Sequence, residues 1–239
     1  MIDRQNRPAS GVTILELLVT VSVVTLLAGL LLPAVLQARA VARRTACQSN
    51  LRQWALAAQM YADTHAGRLP RRGQGIQPTW VIDRDEDWFN ALPVYMESPP
   101  YRELAAASKR PRPDENSIWV CPEIEANEHL PNSERSFFPY GMNMALSTWL
   151  SPRPDHIDRV GPKKTMVFMA DGLGPYCSVL PSTQAYSPVD RHLGMVNIAF
   201  LDGHVASFEG AEVGSGSGDP KRPDVRWFPP NSVWNGPPR

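Results

Sequence analysis

The chain has 239 residues and equal numbers of basic and acidic side chains, 24 of each, so its formal net charge is zero. This balance gives no support for nucleic acid binding, which needs a basic surface. The length fits one membrane span and one globular domain, and the 24 prolines favour a loop-rich domain with short elements.

The first feature along the chain is an apolar segment. Residues 17–36 carry no charged side chain, and about 20 such residues form a helix long enough to cross a bilayer. Arg4 and Arg7 precede the segment, and Ala38-Arg39-Ala40 follows it in the style of a secretory cleavage site. The segment is longer than the apolar region of a secretory signal peptide, so a membrane helix is the better interpretation.

Gly11-Val12-Thr13-Ile14-Leu15-Glu16-Leu17 resembles the cleavage motif of type IV prepilins and pseudopilins. The resemblance implies that prepilin peptidase cuts between Gly11 and Val12 and methylates the new N-terminus at Val12. It also implies that Glu16 pairs with the terminal amine of a neighbouring subunit and sets the axial register, and that Pro33 bends the helix. A carboxylate at the end of a membrane helix is costly unless it is paired. Val12 stands where most members have phenylalanine or methionine.

The charges around the segment argue against the orientation that this resemblance implies. The arginines that follow the segment are Arg39, Arg43, Arg44 and Arg52. The positive-inside rule alone would place them in the cytoplasm, whereas a prepilin has its C-terminal part outside. We adopt the prepilin orientation because the motif is the more specific signal.

The helix is predicted to continue beyond the membrane, because residues 38–65 contain neither proline nor glycine. Six residues recur there at intervals of three or four, as expected of one face of a helix that packs on a folded domain. These are Cys47, Leu51, Trp54, Ala58, Tyr61 and His65. Gly67 and Pro70 supply stop signals, so one helix is expected from about residue 12 to about residue 66.

Downstream, the pattern predicts several short elements. A short helix or amphipathic turn is expected at Trp88–Met96, and a short buried strand that ends at a proline is expected at Ile118–Pro122. An aromatic turn at Ser136–Asn143 and a central strand that ends in a turn at Thr165–Gly172 follow. The last predicted element is a hairpin whose strands, 196–200 and 205–208, flank Asp202-Gly203. A two-residue hairpin loop would pair Phe200 with Val205.

One long helix followed by several strands predicts an α+β fold. We expect a long N-terminal helix, transmembrane and then amphipathic, packed on a small antiparallel β-sheet head, which is a pilin-like arrangement. The expected divisions are a leader at 1–11, a transmembrane and assembly helix at 12–36, its amphipathic continuation at 37–66, a globular head at 67–210, and a Gly/Pro-rich tail at 211–239.

Three cysteines are present. In an exported domain two of them can form a disulfide, leaving one over. We favour the pair Cys47 and Cys121, which leaves Cys177 over, although spacing alone does not set the connectivity.

A second resemblance involves several separate segments. They are Cys47–Gln53, Tyr61–His65, Val120-Cys121-Pro122, Tyr140 with Asn143, and His192 followed after nine residues by Asp202-Gly203. Together they resemble a bacterial family of prepilin-like proteins with a C-terminal His-x9-Asp-Gly motif. This resemblance implies the architecture and the export route, and it leaves the role of His192, Asp202 and Gly203 open.

The head shows little sign of chemistry. His192, Asp202 and His204, with Asp171 and Asn197 nearby, suggest a metal site, but we favour turn and packing roles for them. The sequence contains no nucleophile elbow, no His-Glu-x-x-His and no phosphate-binding loop. We therefore expect no enzymatic activity, catalytic residue or cofactor.

These observations predict a pilin-like or pseudopilin-like structural subunit. Prepilin peptidase would process it, and helix packing would assemble it in a type II secretion or type IV pilus-like system. Its partners would be other pilin-like subunits and the assembly platform. It would lie in the bacterial inner membrane with a periplasmic head, or in a surface filament. The alternative is a membrane-anchored extracytoplasmic module that binds a ligand or metal and borrows the prepilin export route.

Overall fold

The computed structural model describes residues 12–73, 82–113, 115–124, 136–147, 156–174, 176–183 and 186–230. The chain divides into two compact units, residues 1–41 and residues 42–239. Gly11 of the predicted cleavage site and residues 231–239 of the predicted tail lie outside the described residues.

Helix α1 runs from Ile14 to Thr64, close to the predicted bounds. Thr13 caps it, because its backbone N–H and its hydroxyl both donate to Glu16 Oε2 at 2.9 Å while the Glu16 N–H donates to Thr13 Oγ1. This reciprocal arrangement is a capping box. At the other end the Gly67 N–H donates to the Ala62 carbonyl, which satisfies one of the last carbonyls of the helix.

The first part of α1 is apolar on all sides. Its large side chains, from Val12 to Leu36, are all exposed, and by length and composition the helix is able to cross a membrane. The hydroxyls of Ser22 and Thr25 donate to carbonyls of the preceding turn, which suits an apolar medium. Pro33 lies inside the helix.

Residues 42–64 of α1 pack on the head. Cys47, Leu51, Trp54, Ala58 and Tyr61 are buried, which confirms the predicted stripe except at its end. His65 is exposed, and its ring stacks on Tyr61 with centroids 3.8 Å apart.

An aromatic core lies beside this stripe. The segment that follows α1 forms α2 (Trp88–Ala91), a 3-10 turn (Pro93–Met96) and α3 (Tyr101–Ala106). Trp54 meets Trp119 with ring centroids 4.8 Å apart and Trp88 at 5.1 Å. Such edge-to-face pairs add to the stabilisation that burial alone provides.

Within the described part of the chain, the sheet has five strands in the order β3-β1-β2-β4-β5. They are β1 (Tyr140–Asn143), β2 (Val167–Asp171), β3 (Ser178–Val179), β4 (Met195–Phe200) and β5 (Val205–Glu209). The α+β class and the central position of β2 are confirmed. Three pairings are antiparallel, but β1 and β3 pair in parallel, so the sheet is mixed rather than wholly antiparallel.

Both faces of the sheet are covered. Along β4, Val196, Ile198 and Phe200 join one apolar cluster, whereas Ala199 and the following Leu201 join the cluster that includes α1. This alternation is the two-residue period of a strand. The cluster on the face away from α1 also contains Val213, Val225 and Trp227, so described residues beyond 210 belong to the packed head.

Two predicted elements differ from the structure. Ile118–Pro122 is not a strand, and the turn at its start carries Trp119 and Val120 into the core. The end of the aromatic segment predicted as a turn is β1. Short apolar runs of this kind do not reveal from sequence whether a sheet edge lies beside them.

The hairpin between β4 and β5 forms where predicted, but its loop has three residues rather than two. Ala199 pairs with Val205, and Phe200 and His204 close the loop around residues 201–203. Gly203 has a φ of +88° whereas Asp202 is not among the residues with positive φ. A two-residue type I′ loop needs positive φ at both positions, so the chain takes the three-residue form with a glycine bulge.

Candidate functional site: a buried cysteine, aspartate and histidine cluster

Four side chains that are able to bind a metal meet inside the head. They are Cys47 on α1, Cys121 before Pro122, Asp171 at the end of β2, and His192 before β4, and we call them the buried cluster. One ligand atom from each lies within 4.8 Å of all the others, and none of the four residues is more than 2% exposed.

The two cysteines form a disulfide, as the sequence analysis favoured. Their Cα atoms are 5.2 Å apart, within the usual range for a cross-link. Cys47 reaches Cys121 because it begins the buried stripe of α1. Cys177, the remaining cysteine, is buried and not in a disulfide.

Helix α1 also holds the turn that presents Cys121. The Asn50 side-chain amide donates to the Ser117 and Val120 carbonyls at 3.1 and 3.0 Å and to the Tyr140 hydroxyl at 3.3 Å. The Trp54 indole N–H donates to the Ile118 carbonyl at 3.0 Å. These side-chain hydrogen bonds to α1 hold the segment in place, where a strand would have been held by backbone hydrogen bonds to a neighbouring strand.

Asp171 is a fully buried carboxylate. Its Oδ2 accepts the Asn197 backbone N–H at 2.8 Å, and Arg191 Nη1 lies 3.9 Å from its Oδ1. Arg191 also donates to the carbonyls of Gly172 and Pro139. A buried carboxylate needs such compensation because leaving water is costly for a charge.

His192 bridges the carboxylate and the disulfide. Its Nε2 lies 3.4 Å from Asp171 Oδ2 and 3.4 Å from Cys121 Sγ. Its backbone pairs with Met195 across a tight turn in which Leu193 and Gly194 both have positive φ. Among the described residues, no hydrogen bond partner faces His192 Nδ1.

Neutral polar groups surround the cluster. Burial raises the pKa of Tyr140 well above its ordinary value, and the Asp171 charge adds to the rise, so this phenol stays protonated. The buried Asn197 accepts from the Ser207 hydroxyl, which in turn accepts from the Gln48 amide at 2.7 Å. The Asn197 N–H donates to Asp171, so these hydrogen bonds connect β2, which carries Asp171, to α1 by way of β4 and β5.

The two ends of the His-x9-Asp-Gly motif do not meet. His192 lies before β4 and Asp202-Gly203 lies after it, and a strand of this length spans about 20 Å. Asp202 Oδ1 accepts from the backbone N–H of His204 and lies 2.5 Å from its Nδ1, so these two residues form a local turn. The metal-ligand set of His192, Asp202 and His204 is therefore not assembled.

The N-terminal site residues are separate from this cluster. Val12 is 75% exposed, Glu16 closes the capping box, and Pro33 lies within α1. Each member of the buried cluster is a residue that the sequence singles out, but no pattern in the sequence joins the cysteines to Asp171 and His192. One signal in the sequence pointed to this cluster, namely that Asp171 is an acidic residue at the end of an otherwise apolar strand.

Residues 36–152 match the family described as "Protein of unknown function (DUF1559)". The match begins within α1 and includes Cys47, Cys121 and β1, and it covers just under half of the chain. None of the curated proteins compared with the chain matches it, and no solved structure does.

Proposed function

We propose that this chain is a pilin-like structural subunit that prepilin peptidase cuts between Gly11 and Val12 and that assembles through α1. The observation that carries the proposal is the composition of this one helix. Its large side chains from Val12 to Leu36 are apolar and exposed, whereas its stripe from Cys47 to Tyr61 is buried in an α+β head. The prepilin motif immediately before the helix supplies the processing site.

The proposed location is the inner membrane, with the head outside the cytoplasm. The first part of α1 is able to span a membrane, and the Cys47–Cys121 disulfide suits an oxidising compartment. The proposed partners are prepilin peptidase, other pilin-like subunits and the assembly platform of a secretion or pilus system.

The mature N-terminus tests the processing step. Mass spectrometry of the chain isolated from its native membranes should find N-methylated Val12. A chain that begins at Val41 would indicate secretory processing and would contradict the proposal, as would a chain that keeps its leader.

Substitutions at Glu16 and at its capping partner Thr13 test whether subunits assemble through α1. In the single subunit its carboxylate is held by Thr13, so loss of the cap and loss of a contact between subunits must be separated. Glu16→Ala removes both the cap acceptor and the charge, whereas Thr13→Ala removes only the hydroxyl of the same capping box. A lost cap costs about 1 kcal/mol, which a helix of this length tolerates.

We expect Glu16→Ala to abolish crosslinking between subunits while membrane insertion and cleavage continue, and Thr13→Ala to crosslink as the wild type does. Normal crosslinking of Glu16→Ala would contradict the register role. Equal loss in both variants would show that Glu16 acts only as a cap.

The buried cluster favours one second candidate function, that of a membrane-anchored metal-binding module. Its four potential ligands are Cys47, Cys121, Asp171 and His192. They could bind a metal whether or not the subunits assemble.

A further inference from the structure

We propose that the buried cluster binds one Zn²⁺ when Cys47 and Cys121 are reduced, and that the disulfide and the metal exclude each other. The donor set of two thiolates, one imidazole and one carboxylate is one that zinc prefers. In the disulfide the sulfurs are bonded to each other and are no longer thiolate ligands.

The distances between ligand atoms support a tetrahedral site. For zinc with bonds of about 2.0–2.3 Å, the edges of the tetrahedron are about 3.3–3.8 Å long. His192 Nε2 lies 3.4 Å from Asp171 Oδ2 and 3.4 Å from Cys121 Sγ. Two edges that meet at the imidazole therefore already have the required length, and reduction frees the sulfurs to separate along a third.

The charges of the cluster also balance with the metal bound. Two thiolates and Asp171 carry three negative charges, and Zn²⁺ with Arg191, whose Nη1 is 3.9 Å from Asp171, carries three positive ones. In the disulfide state the opposite charges of the Asp171 carboxylate and the Arg191 guanidinium cancel. Each state keeps the buried interior neutral, which avoids an uncompensated buried charge.

Burial assigns a structural role to this metal. All four ligands are 2% exposed or less, so no position is left open to water or substrate, as in closed zinc sites. A nascent chain carries thiols because the cytoplasm is reducing. Zinc would hold α1, β2 and the start of β4 together until the disulfide replaces it.

The exchange is balanced when the oxidant is another disulfide. The two thiolate sulfurs give two electrons to that disulfide and become bonded to each other. The oxidant becomes two thiols by taking two protons from water, and zinc leaves as Zn²⁺. The reaction runs through a mixed disulfide.

The test uses the full chain in detergent, reduced with a water-soluble phosphine under denaturing conditions and refolded with Zn²⁺. Elemental analysis after desalting should find about one zinc per chain. Thiol titration should give three thiols from the three cysteines. Oxidised glutathione should lower the number of titratable thiols per chain from three to one, and the zinc that is released should be detected with a chromogenic chelator. Cobalt in place of zinc should show the visible bands of a tetrahedral site and thiolate charge transfer.

Variants assign the ligands. His192→Ala should weaken cobalt binding by at least about 100-fold, since even loss of groups behind the ligands costs 10–100-fold. His204→Ala and Cys177→Ala are the matched controls, because these residues lie outside the cluster, and both should bind as the wild type does.

Three results would overturn the proposal. One is a reduced chain that folds but takes up no zinc. The second is zinc that stays bound after oxidation or is unaffected by His192→Ala. The third is a reduced chain that neither folds nor binds in excess metal, because a metal that joins these elements should promote their folding. The cobalt spectrum of the wild type does not depend on whether any variant folds.

Discussion

Replacing Cys47 and Cys121 together by alanine should lower the free energy of unfolding by about 6–7 kcal/mol. The two residues are 74 positions apart. In the chain-entropy treatment, a cross-link that closes a loop of that size is worth about 4.5 kcal/mol at 25 °C. Both side chains are fully buried, so the cavities left by the two sulfurs add about 1 kcal/mol each. Many domains have only about 5–15 kcal/mol in total, so the variant should be close to unfolding.

The assay is guanidinium unfolding of the full chain in nonionic detergent, followed by tryptophan fluorescence, because Trp54 and Trp119 pack against each other in the core. Cys177→Ala is the control, since it removes a buried sulfur without opening a cross-link, and it should cost about 1 kcal/mol. A double variant that loses no more than this control would refute the reasoning.

Three further variants test contacts around the cluster and the hairpin. Asn50→Ala removes the side-chain hydrogen bonds to the Ser117 and Val120 carbonyls, which keep the Val120 N–H and the Tyr140 hydroxyl as donors, and should cost about 1–2 kcal/mol in the same unfolding assay. Gly203→Ala places a side chain at a φ of +88° and should cost about 1–2 kcal/mol. Burial raises the pKa of Tyr101 to about 12, so its contribution to stability is complete below pH 10 and is lost as pH rises from about 10 to about 12. In that interval Tyr101→Phe should reduce the fall in stability by up to about 1.4 kcal/mol per pH unit.

Each of these variants has a matched control. Gln53→Ala alters the exposed face of α1 and should change stability by less than about 0.5 kcal/mol, so an equal loss there would contradict the role of Asn50. Gly203→Asn should cost less than Gly203→Ala because asparagine tolerates positive φ. A pH profile that is the same in Tyr101→Phe and in the wild type would contradict the raised pKa.

Local patterns predicted the parts of the fold that depend on local physics. The bounds of α1 follow from its uninterrupted helical composition, and the burial of Leu51 and Trp54 follows from their spacing. The disulfide pair was favoured correctly, although spacing did not require it. The position of the hairpin followed from Asp202-Gly203, but its register did not, because the backbone angles of one residue, Asp202, decide between two loop lengths.

The strand order and the buried cluster were not predictable in this way. β3 pairs with β1 although β2 lies between them in the sequence. Cys121 and His192 approach to 3.4 Å across 71 positions. Contacts of this kind arise from packing of whole elements, for which no repeat in one sequence gives a signal. In the sequence, Asp171 came closest to indicating the buried cluster, because few carboxylates end a wholly buried strand without a function or a partner.

The nine residues between His192 and Asp202 are explained by the docking of α1 on the sheet. His192 contacts the cluster that contains Cys47, and a side chain at Gly203 would meet Gln59 Nε2 at 3.0 Å. Cys47 and Gln59 are about 18 Å apart along the helix axis, close to the length of about 20 Å of the six-residue strand β4. The motif therefore joins the strand to α1 at both ends and sets their alignment.

Inserting one alanine between Ile198 and Ala199 should break this match. The insertion moves every later residue of β4 to the opposite face, so the Gly203 turn and the His192 cluster can no longer both contact α1. We expect a loss of several kcal/mol in the unfolding assay, about the sum of several core contacts. An alanine inserted after Lys163, in an exposed turn, is the control and should cost less than about 1 kcal/mol because surface loops tolerate added length. If both insertions have equal effects, the spacing of the motif does not depend on α1.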